Sequence, residues 1–137
     1  MADTVEFELV SPQRLLKSEP VEMVVIPGAE GDFGVLPGHS LLIATVRPGV
    51  IDIHRDGAVA EQIFVAGGFA EVSPERCTVL AEEAVPVGDI DRADAEQRLG
   101  DAKAALAKAE EDTDSDTSAA DKEVKAAEAM VAAIPQN

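Results

Sequence analysis

The chain has 137 residues, and its 11 Lys and Arg against 27 Asp and Glu leave a formal net charge of −16. A surface that acidic repels phosphate backbones, and the absence of Trp and Tyr beside only four Phe removes most base-stacking platforms, so a nucleic-acid partner is not expected. The length suits one domain of ordinary size, or a small domain with an appendage. Cys77, the single cysteine, rules out an internal disulfide and a Cys-rich zinc site; within the apolar run "CTVLA" it reads as a buried, inert thiol. The start "MADTVEFELV" has no basic segment leading into an apolar one, and no apolar run approaches the roughly 20 residues needed to span a bilayer. A soluble protein of a reducing compartment, the cytoplasm, is the expectation.

In chain order, "VEFEL" comes first and alternates strictly, with Val5, Phe7 and Leu9 on one face and Glu6 and Glu8 on the other. A period of two marks a half-buried strand. "VEMVVI" follows as a second apolar segment, and then "GAEGDFGVLPGHS" at 28–40, with Gly28, Gly31, Gly34 and Gly38. Those spacings match neither dinucleotide nor P-loop fingerprints, and no Lys or Arg lies between Lys17 and Arg47 to meet a phosphate. The glycines therefore read as turns between strands. "LLIATV", "VIDIH", "QIFVA" and "CTVLA" continue the series, and Asp56-Gly57 between two of them reads as a hairpin turn. Short strands with turns between them predict an antiparallel sandwich or barrel. No long crossover helix separates them, so a parallel sheet is not expected.

Near Gly88 the composition changes. Residues 1–88 hold nine of the ten glycines and seven of the eight prolines, whereas 89–137 hold fourteen alanines. Alanine is the best helix former, and glycine and proline are the worst. Ala95, Leu99, Ala102, Leu106 and Ala109 step by four and three, as do Ala120, Val124, Ala127, Val131 and Ile134. The polar "EDTDSDTS" between them predicts a turn, giving an antiparallel helical hairpin. Seams of alanine bury little area, so this hairpin is expected to be mobile or to lean on another surface. The fold class is therefore α+β, mainly β, with a sandwich over 1–87 and a helix-turn-helix over 88–137.

Catalytic signals are sparse. His39 and His54 are the only histidines; Ser40 and Asp32 lie close to His39 in sequence, but nothing indicates the geometry a triad needs. Asp112, Asp114 and Asp116 fall at the first, third and fifth positions of a calcium-binding loop, and Glu123 falls at the twelfth. Thr117 stands where such a loop needs Gly, so a solvated turn is the preferred reading. A small calcium-responsive binding protein using 112–123 is the alternative.

The strings "EGDFGVLPGHSLL" (30–42), "RPG" (47–49), "GGFAEV" (67–72) with Pro74, and "TVLAE" (78–82), followed by "IDRADA" (90–95) and a helical hairpin, resemble the epsilon subunit family of bacterial rotary ATP synthases. The resemblance covers nearly the whole chain. It implies a sandwich of about ten strands plus the hairpin, and a rotor subunit without catalytic activity or cofactor in proton-driven ATP synthesis. Its implied partners are the gamma subunit of the central shaft, the c-ring and, through an extended hairpin, the catalytic alpha and beta subunits. It implies a place at the cytoplasmic face of the bacterial plasma membrane, held there only through the complex. The resemblance puts Glu30, Gly31 and Asp32 at the c-ring, and His39, Ser40, Leu41 and Leu42 at the gamma subunit.

In this family the hairpin folds against the sandwich or extends to block ATP hydrolysis, and in some members bound ATP holds it down. Ile90, Asp91 and Ala95 match the nucleotide motif, but Asp94 stands where an Arg belongs and residues 99–137 contain no Arg. Useful ATP binding is not expected. Residues 89–137 carry six Lys and Arg against thirteen Asp and Glu, so weak inhibition is the expectation.

Overall fold

A computed structural model describes residues 4–114 and 116–135. The first three and last two residues, which fall within the expected ranges 1–87 and 88–137, and Ser115 of the polar turn lie outside the described residues. Strand β1 (Val5–Val10) keeps the alternation seen in the sequence, with Val5, Phe7 and Leu9 buried. After it come β2 (Leu15–Val21), β3 (Met23–Gly28), β4 (Gly31–Val35), β5 (Leu42–Val46) and β6 (Gly49–Arg55). Then follow β7 (Ala58–Val65), β8 (Gly68–Val72), β9 (Arg76–Ala81) and β10 (Ala84–Pro86). A short 3-10 turn at Val87–Asp89 leads into helices α1 (Arg92–Glu110) and α2 (Ser118–Ala133).

Backbone pairing runs in the order β10-β7-β6-β3-β5-β8-β9-β1-β2, with β4 paired to β3 off this path. One register pair, Gly28 with Val46, joins β3 to β5, and the sheet folds over at this corner into two layers. Phe7, Leu9, Ile26, Ile51, Ile53, Val65 and Val79 are among the residues that fill the space between them. Apolar burial of this density is the main stabilising term of a sandwich. Asp56 and Gly57 have φ of 54° and 79°, and Arg55 pairs with Ala58, which makes the predicted two-residue hairpin.

Two expectations need correction. The sheet is not wholly antiparallel, because β1 runs parallel to β9 from Glu6–Arg76 to Val10–Leu80. The crossover that parallel strands require is supplied here by the intervening strands of the sandwich and not by a helix. The Gly-rich stretch is also more than turns: Gly31–Val35 pairs with β3 across five positions, from Gly28–Gly31 to Val24–Val35. Only Val35 of β4 is buried, so its composition hides the strand.

The hairpin forms as expected, with Leu99, Ala102 and Leu106 of α1 meeting Val124 and Ala127 of α2. Helix α2 has a second apolar face. Ala126 and Met130 pack with Ala95 against Phe64 and Ala66. Phe64 lies between Ile63 and Val65, which point into the sandwich core, so strand alternation turns its ring out toward the helices. The hairpin leans on the outer surface of β6 and β7.

Candidate functional site

The β3–β4 hairpin and β5 enclose an open groove of about 490 Å³, lined by Ala29, Asp32, Phe33, Ile43 and Thr45 among others. Ala29 and Arg47 fasten this corner, their backbone N–H groups donating to Thr45 and Pro27 carbonyls, each at 2.9 Å. The Arg47 side chain completes it. Its guanidinium donates to the Gly28 carbonyl and, at 2.6 Å, to Asp32 Oδ1. Glu30, Gly31 and Asp32 are exposed at the tip, and the Asp32 side chain keeps 60% of its accessible surface despite this ion pair. The pairing joins the "EGDFG" and "RPG" strings, which are separate in sequence.

His39, Ser40, Leu41 and Leu42 lie on the segment leading into β5. His39 Nδ1 donates to the Ser40 carbonyl at 2.7 Å, and the Gly38 N–H donates to Pro74 at 2.8 Å, tying this segment to the β8–β9 turn. Leu41 is 79% exposed, whereas Leu42 pairs with buried Val72 and takes the core side of β5 at the sandwich rim. Strand alternation therefore puts Ile43, 77% exposed, on the outer face instead.

That outer face carries residues the sequence reading did not single out. Thr45, Phe69, Leu80, Val10 and Leu15 lie side by side across β5, β8, β9, β1 and β2, each in register with the next. Phe69, Leu80 and Leu15 are more than half exposed. With Leu41 and Ile43 they make an apolar face that water alone covers in the isolated chain, and contiguous patches of this kind mark interaction surfaces. The next row holds Glu71, Thr78 and Glu8, with Arg76 donating to Glu8 at 2.8 Å, and gives the patch a polar border. The available signal was an apolar residue at outward positions of alternating strands: Phe69 beside Ala70, Leu80 beside Val79.

Ile90, Asp91 and Ala95 come together at the foot of the hairpin. Asp91 is the N-cap of α1, its side chain accepting from the Asp94 N–H at 3.0 Å, and buried Ala95 with half-buried Ile90 joins the Phe64 cluster. Capping and packing thus engage all three. Asp89, Asp91 and Asp94 line the adjacent hollow of about 230 Å³ with Arg98. Arg98 is already engaged: it donates to both Glu83 oxygens at 2.8 and 2.9 Å and to Glu123 Oε1 at 2.7 Å. The bonds to Glu123 and Glu83 hold its guanidinium further into the protonated range, and Arg98 in turn lowers the Glu123 carboxyl.

In the α1–α2 turn, Asp112 Oδ1 accepts from the Asp114 N–H at 3.0 Å and Asp116 Oδ1 from the Ser118 N–H at 2.9 Å. Glu123, the twelfth position of the alternative calcium loop, points to Arg98 instead. Among the described residues no group of three His, Cys, Asp or Glu side chains is placed to hold a metal ion. Cys77 is fully buried, and burial pushes its thiol up to about 12. His54 pairs with Met23 and Val59 in the sheet, half-buried. No helix of the described residues is long and apolar enough to cross a membrane.

Residues 4–87 match the family described as ATP synthase, Delta/Epsilon chain, beta-sandwich domain. The ATP synthase epsilon chain of Paramagnetospirillum magneticum is 57% identical over 134 residues, spanning 98% of this chain and 99% of that one. That of Rhodospirillum rubrum is 52% identical over 133 residues, spanning 97% and 98%. A chain in the cryo-EM structure of the Euglena gracilis mitochondrial ATP synthase, comprising OSCP, F1 and c-ring, superposes with a TM-score of 0.78 at 25% identity, over 97% of this chain and 82% of its own length. Sandwich and hairpin together, this chain belongs to the ATP synthase epsilon family.

Proposed function

We propose that the chain is a non-catalytic rotor subunit that couples the gamma shaft to the c-ring during proton-driven ATP synthesis. The observation that carries this reading is the exposed apolar face of β5, β8, β9, β1 and β2, which runs up to the Gly-rich β3–β4 hairpin. A rotating shaft transmits torque only through a partner that holds it tightly, and a rigid sheet presenting Ile43, Leu41, Phe69 and Leu80 supplies burial without reordering side chains first. His39 and Ser40 sit at one end of that face and Leu42 on its rim. Glu30, Gly31 and Asp32 project from the hairpin tip, where Asp32 meets polar loops of the ring while Arg47 holds its orientation. Assembled this way, the subunit lies at the cytoplasmic face of the bacterial plasma membrane and touches that membrane only through the complex.

The hairpin regulates weakly in this reading. Its −7 charge opposes entry between acidic surfaces of the catalytic alpha and beta subunits, and Arg98, which lines the hollow beside the Ile90–Asp91–Ala95 motif, already serves two carboxylates. Among the described residues lining that hollow, the cation ATP meets is therefore already paired.

Recovery of the tagged chain from gently solubilised membranes tests the proposal. Gamma, c-ring and catalytic subunits are expected in fixed stoichiometry with the native chain and lost with the Ile43→Glu, Phe69→Glu double variant. Recovery of the native chain alone sinks it. Deleting residues 89–137 is expected to change the ATPase rate of the complex by less than about twofold, which is under 0.5 kcal/mol of barrier; a several-fold rise refutes the weak-inhibition part alone.

A further inference from the structure

We propose that the hairpin is kept on the sandwich by a three-way charge clasp in which Arg98 separates two carboxylates that otherwise repel each other across the interface. Glu83 belongs to the sandwich, between β9 and β10, Arg98 to α1 and Glu123 to α2. The two Nη atoms of Arg98 meet the two Glu83 oxygens at 2.8 and 2.9 Å, a fork-to-fork pair, while Nε and Nη2 meet Glu123 at 2.7 and 3.3 Å. Paired bonds of this geometry are the strong class of charge-assisted contact. The Arg98 side chain is only 28% exposed, so water screens the cluster less than it screens an open surface pair. Lys122 of α2 adds a second tie to the same turn of the sandwich, meeting Glu82 at 2.7 Å.

The apolar part of the interface is built largely of small or half-buried side chains. Ala95, Ala126 and Met130 face Phe64 and Ala66, with half-buried Val85, Ile90, Val131 and Ile134 around them, and alanine contributes little apolar area. The two bodies are also both acidic: residues 89–137 carry −7 of the total −16. Apolar contact thus has to hold together surfaces that repel on average, and the residues that locally reverse the sign are Arg98 and Lys122. Removing the Arg98 side chain does more than delete an attraction. It leaves Glu83 and Glu123 facing each other with no cation between them, a like-charge pair in a partly dry junction. Arg98 is the pin of the joint, and the two glutamates are its leaves.

This separates a charge mechanism from simple packing. The measurement is the docked fraction of the full chain, read from the distance between spin labels at Glu75→Cys on the sandwich and Lys108→Cys on α1, both exposed positions; buried Cys77 stays unlabelled. The parent is expected to show one narrow distance. Arg98→Ala is expected to raise the undocked-to-docked ratio by about tenfold or more, the effect of losing hydrogen bonds to charged groups. Adding Glu83→Gln and Glu123→Gln to Arg98→Ala removes the repulsion and is expected to return most of the docked population. An unchanged distance in Arg98→Ala overturns the proposal. So does a triple variant as open as the single one, because Arg98 then acts by packing alone. The clasp is a property of the isolated chain, and its failure leaves shaft binding untouched.

Discussion

The sandwich and the hairpin are built from opposite materials. Between the layers lie Phe7, Leu9, Ile26, Ile51 and Ile53, all fully buried and mostly β-branched or aromatic. The hairpin buries Ala95, Ala102, Ala126 and Ala127, with Val124 and Met130 as its largest buried side chains. Branched and aromatic side chains stiffen strands and contribute roughly 1.5–3 kcal/mol each on burial, whereas an alanine methyl contributes a fraction of that. One half is therefore held by its own core. The other half, helical by local propensity, owes its position to a thin seam, a small apolar contact and a few charges. A difference of this kind lets a rigid body keep its grip on a partner while an appendage changes place.

The comparison breaks if the two halves respond alike to core truncation. Phe7→Ala, at the centre of the sandwich, is expected to cost about 3–5 kcal/mol, read as a large drop in the urea midpoint of the whole chain. An effect near that of a hairpin substitution would mean the core is looser than its burial implies. Met130→Ala, which sits 8% exposed between α2 and Phe64, is expected to cost about 2 kcal/mol, the low end for a buried methionine. Its loss is expected to fall on hairpin docking, with strand amides keeping their hydrogen-exchange protection; equal loss in both halves would merge them into one cooperative unit.

Acid sharpens the contrast. Bonded to Arg98, the Glu123 carboxyl is held below its ordinary value of 4.5, and Glu83 faces the same guanidinium. A depressed folded-state value stabilises the docked form fully above about pH 4.5 and loses that contribution as pH falls through the lowered value. Hairpin docking is therefore expected to fade as acidification protonates Glu123, at a pH below its ordinary value of 4.5, followed by the same label pair; docking that strengthens on acidification would show that net repulsion outweighs the clasp. The smallest stability effect is expected on the outer face. Ile43→Asp should shift the unfolding free energy by no more than about 0.5 kcal/mol, because the side chain is already in water. A larger shift would show that the face is part of the core and not a docking surface.

Much of this architecture was legible from residues alone. Alternation in "VEFEL" located β1, Asp56-Gly57 located a turn, and the alanine-rich steps after Gly88 located both helices. What escaped was whatever depended on a distant neighbour. Strand β4 was invisible because "GDFGV" buries only Val35, and its evidence of being a strand is a partner, β3. The Arg47–Asp32 and Arg98–Glu83 pairs join residues 15 apart in sequence, too far for any local spacing rule. Of the apolar face only Leu41 was legible, through the family resemblance, and Phe69, Leu80 and Leu15 belong to strands brought side by side only by the sheet order.

By itself the sequence determined what each segment is, since periodicity, turn chemistry and helix propensity act within a few residues. It also determined the acidic composition, which needs only counting. Tertiary structure decided which strands are neighbours, including the parallel β1–β9 pair, which outward side chains merge into one face, and where the hairpin rests. Those outcomes depend on contacts between residues far apart in the chain, where packing and charge pairing choose among arrangements that local preferences leave equally open.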